Sequence, residues 1–469
     1  MRPGNRVFER TIGSLGRAWT LILQAMSQFL LIPTIIVVFF LLLAVLTFFL
    51  DAVYSPPILS SVRALMQHAV FRSSSQTSGL LGTLAGSLIT VTSITFSFLI
   101  LAVQGSAMGM TNAVLTQFLE RGLNQVVFGY FIGLAIYTLI VLSTVSPFYN
   151  PVWGGTFAVL LTLVALLLLP ILFYSTIYQM HPASIVAAVH NHTLKARERE
   201  RRILDRTRRA SQLAAPVQYQ LRGQRYGFVT NINLDRLEAT LRKRPAITEI
   251  VFCVAIGSSV GFNQVLAEIR STDAAGLDEF GQEVERALSI DRVRDFHADP
   301  DFGIEQIRTI GWTSSSTAKQ NPPAALACVN GLADILARWL LPPAESGNLV
   351  GPALPIVVED GVLENCLDAL AAIATIATKG SQYQTFVAVL DAIGDSYPLL
   401  PPSLRDRAED VVRQILPDVD RQMQTAELER ALANLADALA RNGQPSLARN
   451  VRQTGRKNRP ATDDQEKSA

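Results

Sequence analysis

The sequence predicts an α-helical integral membrane protein with four transmembrane helices, followed by a cytoplasmic region made of a small β-rich domain and an α-helical bundle. Three observations carry this. The 469 residues are 49% hydrophobic and only 17% charged, and mean hydropathy is +0.27, so part of the chain is not in water. No Asp, Glu, Lys, Arg or His occurs from Trp19 to Leu50, between Arg72 and Glu120, or between Arg121 and His181. After His181 the composition is that of a charged, soluble protein, and the net charge of +2 hides this asymmetry.

Each element follows in chain order. Residues 1–28 form a basic N-terminus with Arg2, Arg6, Arg10 and Arg17. A transmembrane domain occupies 29–180, with spans over Phe29–Leu50, Leu80–Gln104, Asn124–Ser146 and Trp153–Tyr174. Each approaches the ~20 residues that a bilayer core requires. The first span is too long for a signal peptide. Basic residues before span one, and the run "KARERERRILDRTRR" from Lys195, outweigh the Arg63 and Arg72 between spans one and two. The positive-inside bias then puts both termini in the cytoplasm.

Span two is the unusual one. In "GSLITVTSITFSFLILAVQ", the residues Thr83 (just upstream), Ser87, Thr90, Ser93, Ser97 and Gln104 fall within about a third of the helix circumference. Thr92 and Thr95 point elsewhere and can bond back to carbonyls one turn earlier. Two readings of the stripe stand. Small and hydroxylated residues let membrane helices approach, and the pairs Gly82/Gly86 and Gly129/Gly133 supply two small-xxx-small patterns for that packing. Alternatively, the hydroxyls line a watery path and replace part of a solute's hydration shell. Neither reading needs an ionisable group inside the predicted spans, and none is found there, which disfavours a carboxylate proton relay.

The linker "GSAMGMTNAVLTQFLERGLNQ" reads as a continuation of span two, turning at Gly122 with Glu120 and Arg121 at the membrane face. The stretches "GSLITVTSITFSFLILAVQ", "LTQFLERGLNQVVFGYFIGLAIYTLIVL", "RYGFVTNINLDRLEATL" and "DRVRDFHADPDFGIEQI" together resemble the bacterial family of predicted membrane proteins known as DUF2254, a domain of unknown function. The resemblance runs from about Gly13 to Leu416 and implies four spans followed by a cytoplasmic region, without an established activity. Where that family tends to read S-P-x-x-N-D-P-x-T-A, this chain has "SSSTAKQNPPAA", with Asn321 in place of the Asp; Asn321 before Pro322 is a good helix N-cap.

Beyond the spans, 181–215 reads as a basic helical linker, its His190-Asn-His192 as a solvated pair, and its mixed charge as suited to anionic headgroups rather than nucleic acid. Residues 216–272 alternate branched and aromatic residues with Gly and Asn turns, as in a small barrel or sandwich, with a short helix at Leu234–Leu241. Gly257-Ser-Ser-Val-Gly261 matches the G-x-S-x-G nucleophile elbow, but with His297 alone downstream and no βαβ series around it, a tight turn between strands is the better reading. Residues 273–445 repeat apolar positions at three and four, the pattern of five or six bundled helices. In it "DPDFG" is a turn into a helix, with Asp299 or Asp301 capping. Residues 446–469 read as a disordered tail.

Cys253, Cys328 and Cys366 fit neither a disulfide framework nor a metal spacing, and the five histidines form no catalytic set. No enzyme, cofactor or metal is expected. The expected function is that of a homo-oligomeric channel-like protein, embedded in membrane lipid and passing ions or small solutes along span two. The alternative is a membrane-anchored sensor or scaffold whose cytoplasmic domain docks a protein partner.

Overall fold

The computed structural model describes residues 30–52, 60–107, 122–179, 181–243, 247–317, 320–341, 353–423 and 425–457. Glu120, Arg121 and the rest of the 108–121 linker lie outside them, as do the N-terminal arginines and 458–469. Contacts divide the chain into two units, Met1–His181 and Pro182–Ala469.

The first unit holds α1 (Leu31–Ala52), α2 (Ser60–Ala69), α3 (Ser74–Ala107), α4 (Gly122–Thr144) and α5 (Val152–Gln179). Helices α1, α3, α4 and α5 are long and apolar enough to cross a membrane, where the sequence predicts them. Helix α4 is the central one, with 50% of its apolar window buried against 22% in each of the others. Phe40, Leu81, Leu88, Val127, Phe131, Leu134 and Tyr137 form the core around it. Glycine is what admits α1 to this core. A methyl group on Gly129 would lie 2.7 Å from Pro33 Cα, and one on Gly133 would lie 2.4 Å from Phe40 Cδ2.

The second unit opens with α6 (Pro182–Leu204) and continues through β1 (Val217–Arg222), β2 (Gly227–Ile232), α7 (Leu234–Arg242), β3 (Thr248–Phe252), β4 (Ser259–Val260), β5 (Val265–Ser271), α8 (Leu277–Ala287) and β6 (Leu288–Asp291). Strand β7 (Ile356–Val357) comes much later. The sheets run β1-β5-β3-β7 and β4-β2-β6. All pairs are antiparallel except β3 with β7. Leu221, Val229, Ile250 and Ile269 from the strands share one core with Leu237, Phe280 and Val284 from α7 and α8.

This differs from the expected small barrel over 216–272. The sheets recruit β6 and β7 from the stretch read as wholly helical, because two short strands with inward Leu288 and Ile356 complete faces that residues 216–272 leave open. The remaining helices are α9 (Pro300–Ser315), α10 (Pro322–Leu340), α11 (Val362–Lys379), α12 (Tyr383–Ser396), α13 (Pro402–Ile415), α14 (Ala426–Arg441) and α15 (Pro445–Lys457). Asp299 and Asn321 cap α9 and α10, accepting from the Phe302 and Ala324 amides with proline next in line. The expected disordered tail is corrected in its first part. Residues up to Lys457 form α15, because Leu447, Ala448 and Val451 recur on one face and are buried.

The basic linker is corrected as well. His190 faces Asp334 at 2.7 Å, and the His192 ring lies 5.2 Å from Phe296 and 5.4 Å from His297, so neither histidine is merely solvated. Helix α6 is a packed member of the second unit. A methyl group on Gly303 of α9 would lie 1.9 Å from Thr193 Oγ1 of α6, so the two helices touch through that glycine.

Candidate functional site

Helix α3 has two faces. Leu81, Ala85, Leu88 and Thr95 are buried within the unit. On the opposite side Thr83, Ser87, Thr90, Ser93 and Ser97 are all exposed. Gly82 and Gly86 share that outer sector, and a methyl group on either would meet no atom within 4 Å. Ile94 and Leu101 also reach the outside, at 56% and 61% exposure. Gln104 falls on the last turns of α3, and its side chain lies outside the described residues. Thus the two glycine pairs do different things. Gly129 and Gly133 seat α1 against α4, whereas Gly82 and Gly86 front open space.

Four of the five hydroxyls on the outer face are committed to their own helix. Thr83 donates to Gly79 O at 2.9 Å, Thr90 to Gly86 O at 2.9 Å, Ser93 to Ile89 O at 3.0 Å and Ser97 to Ser93 O at 2.9 Å. Thr92 makes the expected back-bond to Leu88 O at 2.7 Å, but the buried Thr95 Oγ1 has no hydrogen-bond partner. With its proton used inside the helix, each back-bonded hydroxyl offers only oxygen lone pairs outward. Such a surface accepts from water or coordinates a cation, and has little to offer an anion.

One charged residue does lie at the edge of the membrane helices. The candidate span of α1 runs to Asp51, one residue past the predicted end. Its carboxylate is 0% exposed. Oδ1 accepts from the Trp153 amide and Oδ2 from the Gly154 amide, both at 3.0 Å. Asp51 therefore caps the N-terminus of α5, where orphan N–H groups and the helix dipole favour a negative charge. Arg63 stands 4.0 Å away. Tyr137 of α4 completes the knot, donating to Gly154 O at 3.0 Å. Beside it a cavity of about 150 Å³ is lined by Thr47, Phe48, Asp51, Thr144 and Tyr149, among others. The signal for Asp51 was its place one residue after a run of apolar residues, with no partner nearby in sequence.

In the second unit Gly257 takes φ +85°, and a methyl group on it would lie 2.2 Å from Asp299 Oδ2. Ser259 opens the two-residue strand β4 and is exposed. It does not sit at a strand-to-helix turn, which a nucleophile elbow needs. Among the described residues no group of three or more His, Cys, Asp or Glu side chains is arranged to hold a metal ion.

Comparison with known families decides the relationship. A family model described as a predicted membrane protein, DUF2254, matches residues 26–388. The chain belongs to the DUF2254 family. The match takes in every membrane helix of the DUF2254 chain described above and ends inside α12, so α13, α14 and α15 lie beyond it. No curated protein and no solved structure matches the chain.

Proposed function

We propose that this DUF2254 protein is a homo-oligomeric, channel-like protein of the bacterial inner membrane, with both termini cytoplasmic and α3 lining a passage for water and small cations. One observation carries the reading. The outward face of α3 sets Gly82, Thr83, Gly86, Ser87, Thr90, Ser93 and Ser97 around the exposed Ile94 and Leu101, while the outward faces of α1 and α5 present Ile35, Phe39, Leu42, Leu163, Leu167 and Ile171. Acyl chains have no use for a groove of small polar residues, and helix association or water does. Copies arranged about an axis through α3 would remove that groove from lipid and leave the larger side chains facing it. Acceptor-only hydroxyls favour cations over anions, and the described α3 residues include no carboxylate to hold a divalent ion.

The test is flux of a monovalent cation into liposomes holding the purified protein, beside empty liposomes and the triple variant Ser87→Leu, Thr90→Leu, Ser97→Leu. These side chains are exposed, so leucine adds no clash inside one copy. The expected result is flux in the wild type, and its loss in a triple variant that still assembles. Flux persisting in the triple variant would remove α3 from the pathway.

The back-bonds also favour a second reading, because hydroxyls satisfied within their helix can sit in a dry interface. In that case α3 only holds copies together, and the protein is a membrane-anchored sensor or scaffold whose second unit docks a partner. Intact assembly with no flux under any salt, pH or voltage would select it.

A further inference from the structure

Where α6, the start of α9 and the segment before α11 meet, buried carboxylates outnumber cations. Arg197 of α6 donates to Asp360 Oδ1 at 2.8 Å, to Asp360 Oδ2 at 2.7 Å and to Glu200 Oε2 at 2.6 Å. Its side chain is 8% exposed, that of Glu200 7% and that of Asp360 13%. The guanidinium also lies over the Trp339 ring, 5.3 Å from its centre. Arg294 forks onto Asp299 at 2.6 and 3.0 Å and reaches Glu305 at 2.5 Å. Asp301 stands within electrostatic reach of both arginines and of Glu200. One of its oxygens is hydrogen-bonded by Asn365, and Oδ1 is buried with no partner.

Two arginines, each already forked, thus face four carboxylates removed from water: Glu200, Asp299, Asp301 and Asp360. Ionising all four leaves a net negative charge in a medium of low dielectric, which costs far more than binding a proton. A cavity of about 290 Å³, lined by Gly257, Ser258, Arg294, Asp301 and Glu305 among others, gives that proton a way in and out. The other charged groups nearby have partners of their own. Asp368 pairs with Arg407, Arg308 lies 3.9 Å from the half-exposed Glu305, and His190 and Arg338 meet at Asp334. Cys366 donates to Leu332 O, and Arg199 to His297 O.

We propose that this cluster is a proton-operated latch, in which loss of one shared proton as pH rises towards neutrality loosens α6 from α9 and from the segment holding Asp360. Burial pushes the Glu200 carboxyl up to about 7 despite Arg197, and raises Asp299 and Asp301 as well. The groups titrate together, so the proton belongs to the cluster rather than to one residue. For a carboxyl whose pKa is higher folded than unfolded, stability is full below the unfolded value and is lost as pH rises through the folded one. The window is therefore from the ordinary 4.5 of a glutamate to about 7. The close Gly303–Thr193 approach packs α6 directly against α9. Helix α6 begins at Pro182, and α5 ends at Gln179. The element that the proton loosens is thus the first one after the last membrane helix in the chain.

The experiment is hydrogen exchange of the full-length protein in nanodiscs at about pH 5 and about pH 8, corrected for intrinsic exchange. The expected result is a fall in α6 protection of up to roughly tenfold per pH unit within the window, the limit for one linked proton. Both Glu200→Gln and Asp301→Asn should flatten that dependence. Equal protection at the two pH values in the wild type would overturn the latch. A pH dependence that survives in both variants would overturn its assignment to these carboxylates. If Glu200→Gln does not fold, Asp301→Asn on the cavity side decides alone. The latch does not rest on the channel reading: absent flux with a pH-dependent α6 would remove the channel and leave the latch.

Discussion

Helices α3 and α5 belong to the same unit and wear different coats. The outer face of α5 carries Leu163, Leu166, Leu167 and Ile171, with Leu167 70% exposed. The outer face of α3 carries Gly82, Thr83, Gly86, Ser87, Thr90, Ser93 and Ser97, interrupted by Ile94 and Leu101. Both are apolar enough to span, although α3 is the least so of the four. The lesson is that average hydropathy decides whether a helix enters the bilayer, and the small residues on one face decide what it meets there. A bare α5 face suits lipid, whereas a bare α3 face is unfinished until something other than an acyl chain covers it.

The sharpest way to break this comparison uses the two glycine pairs. Leucine at Gly133 must displace Phe40, and even alanine there is overpacked, costing roughly 1–3 kcal/mol or more. Gly133→Leu should therefore abolish folding of the first unit, read as loss of monodisperse protein in detergent. Gly86→Leu meets open space within one copy and should leave thermal stability of the monomer unchanged while shifting the oligomer to smaller species in native mass spectrometry. An unchanged oligomer would show that the α3 groove is not a contact between copies.

A smaller effect concerns Asp51. Asp51→Ala leaves the Trp153 and Gly154 amides of α5 without their acceptors, at a cost of about 1–3 kcal/mol for a buried polar group left unpaired. Asp51→Asn retains an acceptor oxygen but loses the charge at the helix terminus, worth about 0.3–2 kcal/mol. Thermal melts in detergent should rank wild type, then asparagine, then alanine. A wild-type melt for Asp51→Ala would mean that the cap contributes nothing to the unit. Neither variant should change which face of α3 is exposed, so together they separate the stability of the unit from the use of its groove.

Much of this was legible in the sequence because the membrane helices announce themselves by length and missing charge. The stripe on α3 was legible too, since a helical period of 3.6 places Thr83, Ser87, Thr90, Ser93 and Ser97 together whatever the tertiary fold. What that period could not show is which face turns inward, and so which glycine pair packs inside the copy. Asp51 escaped because its partners are backbone amides about a hundred residues later, and a backbone amide has no sequence signature. Strand β7 escaped for a related reason: two residues among helices carry no periodicity, and only the open edge of β3 makes a strand of them. The buried Arg197–Glu200–Asp360 group was hidden inside a run of charge that looks solvated, because nothing local reveals that α9 and Asp360 will close over it.

If α3 lines a passage, its outer face meets water in the assembled protein. Cysteines introduced singly at Thr83, Ser87, Thr90, Ser93 and Ser97, with Leu42 and Leu167 as lipid-facing controls, can be probed with a membrane-impermeant thiol reagent. The background should carry Cys253→Ser, because that thiol is exposed while Cys328 and Cys366 are buried. The expected result is labelling along the stripe, protected by a permeant cation, and none at the two controls. Stripe cysteines that ignore the reagent yet cross-link one copy to another would contradict a watery path and leave α3 as a dry contact between subunits.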